Sequence, residues 1–515
     1  MRFQILAVAS AAIIALPASA QTQRATLTSA DSALVARLLL AEEHRDTSSA
    51  AYAVGMNHAD ARVRVIARRG WLRSRDPVFA RRDSLPVLPA PPIYPDVAWR
   101  ARFRALGAKN DKCDELHTAL ADTAWQVRLR AADLVAASCA TNAPIIALLK
   151  EWARAVPQTS VRKRDGVSWH AAAHALTALA RVSQPDARTE LPRFTTSRIP
   201  ALRIYGARAA TTLNDTTTLR RLVGDANDNV KEAAITGLAR VAGHSADDVI
   251  LSALSAQGYQ AIRAAATALK DSPRRDAVLS ASIAMAVRIK TDGSETSRDA
   301  RRALVDRITE LATPGDWPRI APLAADFDCN IATAIAELGA KLGNAAVQPK
   351  CTPLPIELPA DAVRLALGAS MSLRVTLADS SGGGSFVVRL RGDIAPVMAA
   401  RIVAMAKAGY YNGLTWHRVE PNFVIQGGGT GANEYVGYPR FFRDELGNVP
   451  HARGTIGLST RGHDTGDGQW FVNLIDNFRL NKDYTVFGEI TEGIEVADGV
   501  LEGDVIARIE VITGR

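Results

Sequence analysis

One short unit recurs from about Thr28 to Leu342: a turn residue, then a helix opening on V-R-x-x-A-A or a close variant. Copies run from His58 to Ala67, Asp122 to Ala132, Ala201 to Ala209, Asp225 to Ala234 and Tyr259 to Ala266. The later copies lie about 30 residues apart. A helical unit this short cannot bury its apolar stripe alone, so copies must stack and build a core between them. The residue types suit that arrangement. Asp or Asn before the helix caps free N–H groups, and alanines let neighbouring helices approach. The Val, Leu or Ile of each copy enters the shared core. The Arg beside it is left to snorkel or to pair with the Asp of the preceding turn.

The unit resembles the second helix of HEAT repeats, in a compact form. It predicts an all-α solenoid over 28–342. Leu85 to Pro95 interrupts the helices as an extended connector. Pro349, Pro353, Pro355 and Pro359 mark a linker over 343–369. Beyond it the apolar period changes from helical to alternating. Ser372 to Leu377 and Ser385 to Leu390 flank Asp379-Ser380-Ser381-Gly382-Gly383-Gly384, which reads as a hairpin turn. A helix over Ala395–Ala408 starts with Pro396 in its first turn. Six further strands are expected at 415–419, 423–426, 455–459, 469–474, 485–490 and 505–512. Many short strands with few helices indicate a closed barrel over 370–515. At 515 residues the chain is too long for one core, which agrees with this division.

The first 20 residues read as a secretory leader. Arg2 precedes an apolar run from Ile5 to Leu16, and Ala18-Ser19-Ala20 offers small residues for cleavage before Gln21. The run is too short to span a bilayer, and no later segment reaches transmembrane length without charge. An exported, periplasmic protein is expected. In an oxidising compartment the four cysteines pair most simply as Cys113–Cys139 and Cys329–Cys351. No CxxC is present, which argues against zinc and thiol redox chemistry. The net charge of +9 is spread along the chain without a basic, aromatic-rich patch, which argues against nucleic-acid binding.

Chemistry concentrates at Trp416-His417-Arg418-Val419-Glu420-Pro421-Asn422-Phe423-Val424-Ile425-Gln426-Gly427-Gly428 and at Gly468-Gln469-Trp470-Phe471-Val472. These supply a permanently charged guanidinium, phenyl rings and amides, but no nucleophile or metal cluster. Such a set suits gripping a peptide and stabilising a distorted, uncharged transition state. The first block resembles the cyclophilin signature F-H-R-x-x-x-x-F-x-x-Q-G-G. Three more blocks resemble the same family in the same order: Ala408 to Thr415, Gly454 to Ser459 and Tyr484 to Gly488.

The resemblance covers about Ser370 to the end and implies an eight-stranded barrel capped by helices. It also implies peptidyl-prolyl cis-trans isomerase activity without a cofactor. It casts Arg418, Phe423 and Gln426 as catalytic. Phe423, Phe471 and Leu480 would form the proline pocket, Val424 would stand where Met is usual, and Gln469 and Tyr484 would complete the substrate site. Proline-containing proteins are the expected substrates, with clients or an envelope partner recruited by the solenoid. A scaffold whose barrel binds peptides with little turnover is the competing reading. The sequence departs from the pattern at Leu458-Ser459-Thr460, along Arg461–Gly468, and at Arg479, which replaces a pocket-side Trp. His417 reads as structural, His463 as solvent-exposed, and Asp444-Glu445 as a solvated turn.

Overall fold

The computed structural model describes residues 27–75, 92–108, 111–161, 169–344 and 347–514. The expected leader and most of the proline-rich connector lie outside the described residues. Among those described, no helix is long and apolar enough to cross a membrane.

Helices fill the chain to Lys341, but they serve two cores. Helices α1 (Ser29–Glu43), α2 (Ala50–Met56) and α3 (Ala61–Arg75) bury Leu34, Leu38, Leu39, Val63 and Ile66. These side chains join the C-terminal domain's hydrophobic cluster, alongside Met398, Ile402 and Ile509. The helices from Ala98 onward share a separate core. There the repeat-bearing helices stack in one continuous row: Ala98–Leu106, Trp125–Leu134, His170–Val182, Pro200–Thr212, Asp228–Ala242, Tyr259–Ala268, Arg298–Leu311 and Cys329–Lys341. Asn227 caps its helix by accepting from the N–H groups of Asn229 and Val230, as the sequence leads one to expect.

The repeat Arg takes a different partner from the one expected. Arg64, Arg128 and Arg203 each donate to the backbone carbonyl six residues earlier, on His58, Asp122 and Ser197, at 2.6, 2.7 and 2.8 Å. The guanidinium reaches a turn carbonyl left free by the preceding helix end and makes a charge-assisted bond to it. The fourth copy follows the expectation, with Lys231 paired to Asp228 at 2.8 Å.

Both predicted cysteine pairs are disulfides, with Cα–Cα distances of 5.6 Å for Cys113–Cys139 and 5.0 Å for Cys329–Cys351. The second ties the start of the linker to the last repeat helix.

The C-terminal domain is built on eight strands: β1 (Met371–Leu377), β2 (Ser385–Leu390), β3 (Trp416–Val419), β4 (Val424–Gly427), β5 (Thr455–Leu458), β6 (Trp470–Asn473), β7 (Val486–Glu492) and β8 (Ile506–Thr513). They form one curled antiparallel sheet in the order β3-β4-β6-β5-β7-β2-β1-β8. The end strands approach at one corner. There Thr415 bridges Val505, Trp416 N–H donates to Asp504 O at 2.9 Å, and Ile506 N–H donates to Leu414 O at 2.8 Å. The helix Pro396–Lys407 packs into the sheet's concave side.

Asp444-Glu445 is not the solvated turn expected; both residues are buried. Glu445 accepts from the N–H groups of Val397 (3.4 Å) and Met398 (2.6 Å), two of the orphan donors at the start of helix Pro396–Lys407. Around it lies a charge cluster joining α1 and α3 to the sheet domain. Arg73 donates to Glu42 at 2.8 Å and to the carbonyls of Ile394 (3.0 Å) and Leu446. Arg69 reaches Glu42 at 3.1 Å. Burial opposes ionisation of Glu42, but Arg69 and Arg73 outweigh it and hold the carboxyl at about 2. Burial and the neighbouring Glu42 push Glu445 up to about 7, against Arg73. A second buried cluster joins the repeat row to the sheet: Asp498 receives Arg100 at 3.0 Å and Arg453 at 2.7 Å.

Candidate active site

Strand register sets out the site. Arg418 on β3 pairs with Gln426 on β4, Gln426 with Phe471 on β6, and Phe471 with Gly457 on β5. Directly opposed residues share a face of the sheet, so these four make one row across it. Two local features make the row possible. Between the pairs Trp416↔Gly427 and Arg418↔Gln426, β3 spends one extra residue, His417. This bulge lets Trp416 point into the core while Arg418 turns outward, a use of bulges common beside active sites. At the other end Gly457 leaves room for the Phe471 ring. A Cβ there would sit 2.3 Å from Phe471 Cζ.

The row borders a cavity of about 310 Å³. Arg418, Phe423, Val424, Gln426, Phe471, Leu480 and Tyr484 all line it. Gln469 stands behind the wall, its Oε1 accepting from Gln426 Nε2 at 3.4 Å. Tyr484 meets Phe471 edge-on at 5.8 Å between ring centroids, and His451 stacks on Phe471 at 5.7 Å while meeting Tyr484 edge-on at 6.4 Å. Phe423 lies beneath two guanidiniums: Arg479 Cζ is 4.2 Å and Arg418 Cζ 5.9 Å from its ring centre. Arg479 thus covers the pocket ring through its planar face. Burial pulls His417 down to about 4, offset only in part by the Thr415 carbonyl, so its imidazole is neutral near pH 7. His463 is partly exposed and bonds Asp444 at 3.0 Å.

Sequence reasoning missed Glu434 and the groups behind it. Glu434 Oε1 lies 3.3 Å from Arg418 Nη1, with both side chains partly exposed. The Glu434 backbone carbonyl accepts from Arg461. Arg461 also pairs with Asp467 at 3.1 Å and, in the repeat row, with Asp299 at 2.5 Å. Asp467 accepts Thr296 Oγ1 from the repeat row at 2.7 Å and Gln469 Nε2 at 3.3 Å. Burial raises the Asp467 carboxyl, against Arg461 and Thr296. A continuous chain of hydrogen bonds therefore runs Thr296–Asp467–Gln469–Gln426, from the helical row to the amide paired with Arg418. Nothing local in the sequence marks Thr296 or Asp299, because they lie 171 residues from Asp467 in one case and in a different architecture in both. Among the described residues, no group of His, Cys, Asp and Glu could hold a metal ion.

The site can hold a compact apolar ring among Phe423, Val424, Phe471 and Leu480, with one permanent positive charge at its edge. It has no nucleophile activated by a base.

Comparison with known proteins agrees with this geometry. The sequence model of the family described as "Cyclophilin type peptidyl-prolyl cis-trans isomerase/CLD" matches residues 374–510. A peptidyl-prolyl cis-trans isomerase of Helicobacter pylori (strain ATCC 700392 / 26695) is 38% identical over 133 residues, covering 24% of this chain and 80% of the relative. Peptidyl-prolyl cis-trans isomerase B of Bacillus subtilis (strain 168) is 36% identical over 132 residues, covering 25% of this chain and 92% of the relative. Peptidyl-prolyl cis-trans isomerase A of Dickeya dadantii (strain 3937) is 33% identical over 143 residues, covering 26% and 74%. Through its C-terminal domain, the chain belongs to the cyclophilin-type peptidyl-prolyl cis-trans isomerase family.

Proposed function

We propose that the chain isomerises X-Pro bonds of exported proteins, with Arg418 as the electrophilic donor and the helical repeats as the client-recruiting part. The observation that carries the isomerase reading is the row Arg418–Gln426–Phe471 facing an apolar cavity. An X-Pro bond rotates slowly because its partial double-bond character imposes a barrier of about 18–20 kcal/mol. In the twisted transition state the prolyl nitrogen loses conjugation and gains a lone pair. A donor aimed at that nitrogen binds the transition state better than the planar ground state. Arg418 meets this need as a fixed fork that stays charged. The ring pocket of Phe423, Val424, Phe471 and Leu480 holds the prolyl side while the preceding carbonyl turns. Gln426, oriented by Gln469, binds substrate backbone or steadies Arg418. Tyr484 closes the far wall.

The remaining parts of the reading rest on different support. Two disulfides suit an oxidising compartment, and with the leader-like first 20 residues they favour export to the periplasm. The stacked row of V-R-x-x-A-A helices, with equivalent Arg-to-carbonyl bonds at Arg128 and Arg203, supports a HEAT-like solenoid. The hydrogen bonds between Thr415–Trp416 and Asp504–Val505 support barrel closure.

The test is the cis-to-trans rate of an X-Pro peptide with wild type and Arg418→Ala. One charge-assisted bond of about 1.5–3 kcal/mol corresponds to roughly one to two decades of rate. At least a tenfold loss in a folded variant is expected. Equal rates for the two proteins remove Arg418 from its role, and no acceleration by wild type leaves the peptide-binding scaffold as the better reading.

A further inference from the structure

Arg418 lines a second cavity as well as the proline pocket. This cavity, about 310 Å³, lies between the β3–β4 turn (Glu420, Pro421) and the repeat row, where Trp125, Arg130, His174 and Tyr205 form the wall. A third cavity, about 590 Å³, continues from it. Arg208, His417 and Glu502 line both, and the third runs on between helices Pro200–Thr212 and Asp228–Ala242 to Arg240. Across Arg418 the prolyl site thus adjoins a groove with the sheet domain as one wall and the repeat row as the other.

The charges of this groove are unevenly engaged. Asp133 pairs with His174 at 2.6 Å, Glu232 with Arg263 at 3.2 Å, and Glu502 accepts the Tyr205 hydroxyl at 3.1 Å. Burial raises the Glu502 carboxyl above its ordinary value, against the nearby Arg208 and His174. Glu420, at the end nearest Arg418, is an exposed carboxylate. On the helical wall Asp133 and Glu232 are thus engaged, whereas two arginines are not. Arg208 is exposed, its guanidinium 4.6 Å over the Tyr205 ring. Among the described residues, neither it nor exposed Arg240 has a carboxylate within ion-pair distance. Aromatic faces and unpaired guanidiniums along a slot suit an extended chain bearing carboxylates.

We propose that this groove is a subsite for the flank of the substrate chain, and that it selects an extended acidic polypeptide segment whose carboxylates meet Arg208 and Arg240 while the prolyl bond lies at Arg418. This rests on the isomerase reading of the Arg418 site and adds to it a substrate class. The helical row is then part of the catalytic cleft rather than a remote client hook.

The test uses the full chain and synthetic peptides sharing one Ala-Pro centre: a tetrapeptide, and longer peptides with aspartate or lysine walked along either flank. Isomerisation gives kcat/KM, and fluorescence anisotropy gives affinity. On the flank that enters the groove, aspartate raises kcat/KM over the tetrapeptide by about twofold to fivefold per engaged charge, the range of an exposed ion pair. High salt abolishes the gain. In Arg208→Glu and Arg240→Glu, both at exposed positions, the long-to-short ratio falls toward one and the lysine peptide gains. The proposal is overturned if wild type treats the tetrapeptide and the acidic peptides alike, if lysine is preferred, or if the aspartate gain survives both charge reversals. A wild type that fails to accelerate even the tetrapeptide strikes the isomerase reading alone, and anisotropy then decides the groove.

Discussion

Thr296 lies in the repeat row, yet its hydroxyl is one end of the hydrogen-bond chain that reaches Gln426. It donates to Asp467 Oδ2 at 2.7 Å and accepts from Arg461 Nη2 at 3.0 Å. Thr296→Val keeps the shape and removes both bonds. Asp467 is 1% exposed, so the lost donor served a buried carboxylate. A hydrogen bond to a charged group is worth about 1.5–3 kcal/mol, and that is the expected loss of stability. The effect on rate is smaller. The path to Gln426 runs through the Gln469–Asp467 and Gln426–Gln469 links, 3.3 and 3.4 Å long, with Arg461 and Glu434 as a side branch toward Arg418. One neutral hydrogen bond of about 0.5–1.5 kcal/mol sets the ceiling, which gives a drop in kcat/KM of about twofold to tenfold. Urea unfolding measures the first quantity and a prolyl-peptide assay the second. A double-mutant cycle with Gln469→Met separates coupling from general loosening, because the rate effect of Thr296→Val should shrink in that background. A full stability loss with an unchanged rate, or rate effects that add, would refute the claim that the helical row tunes the site through Asp467.

Arg479→Ala removes the guanidinium over Phe423. An exposed cation–π contact is worth about 0.5–1 kcal/mol, so KM should rise about twofold to fivefold with kcat nearly kept; a kcat effect as large as that of Arg418→Ala would contradict a wall role. Glu445 bears on pH. Its folded pKa of about 7 exceeds its ordinary value of 4.5, so the folded state holds a proton that the unfolded chain releases. Its contribution to stability therefore falls as pH rises from about 4.5 to about 7, while that of Glu42, held at about 2, is lost as pH falls from 4.5 toward 2. Glu445→Gln keeps an acceptor for Met398 N–H and should flatten the upper slope in urea midpoints; a slope unchanged between pH 5 and 7 counts against Glu445 as its source. The Cys329–Cys351 bridge spans 22 residues, and Cys351→Ser should lower stability by about 3–4 kcal/mol while leaving the prolyl-peptide rate of the folded protein intact. An unchanged urea midpoint would show that the linker contributes nothing to the last repeat.

Much of the sheet domain was legible because its signals are local. All eight strands, the β1–β2 hairpin and the helix at Pro396 follow from alternation, glycine and proline within a few residues of each position. The pocket side chains were legible because β3, β4 and β6 bring together two short blocks whose residue types already suit a ring and a peptide. Asp444-Glu445 misled for the opposite reason. Two adjacent acids look like a solvated turn, and it is the arrival of α3's Arg73, 372 residues away in sequence, that makes burial of Glu445 tolerable, while His463 and the Asp464 N–H meet Asp444. The repeat Arg also shows the limit of pattern reading. Sequence shows a cation near an acid, but the free carbonyl at the preceding turn is present in every sequence and visible in none.

The division of the helices between two cores has a consequence for how the enzyme works as a unit. α1–α3 bury their apolar faces on the sheet domain, whereas the later helices bury theirs on one another. The chain therefore anchors to the sheet domain at its start, leaves it to build the repeat row, and returns to it through the disulfide-tied linker. The buried cluster Arg100–Asp498–Arg453 fixes the row against the sheet, and a second, Glu42–Arg73–Glu445, fixes α1 and α3 to it. Breaking one partner of such a cluster leaves an uncompensated buried charge and costs about 3–5 kcal/mol, so sliding of one part over the other is strongly opposed. A row held this firmly can place Thr296, Asp299 and Arg208 at fixed positions beside Arg418. On the proposed reading, that fixed placement joins client recruitment as what the helical array adds to the prolyl site.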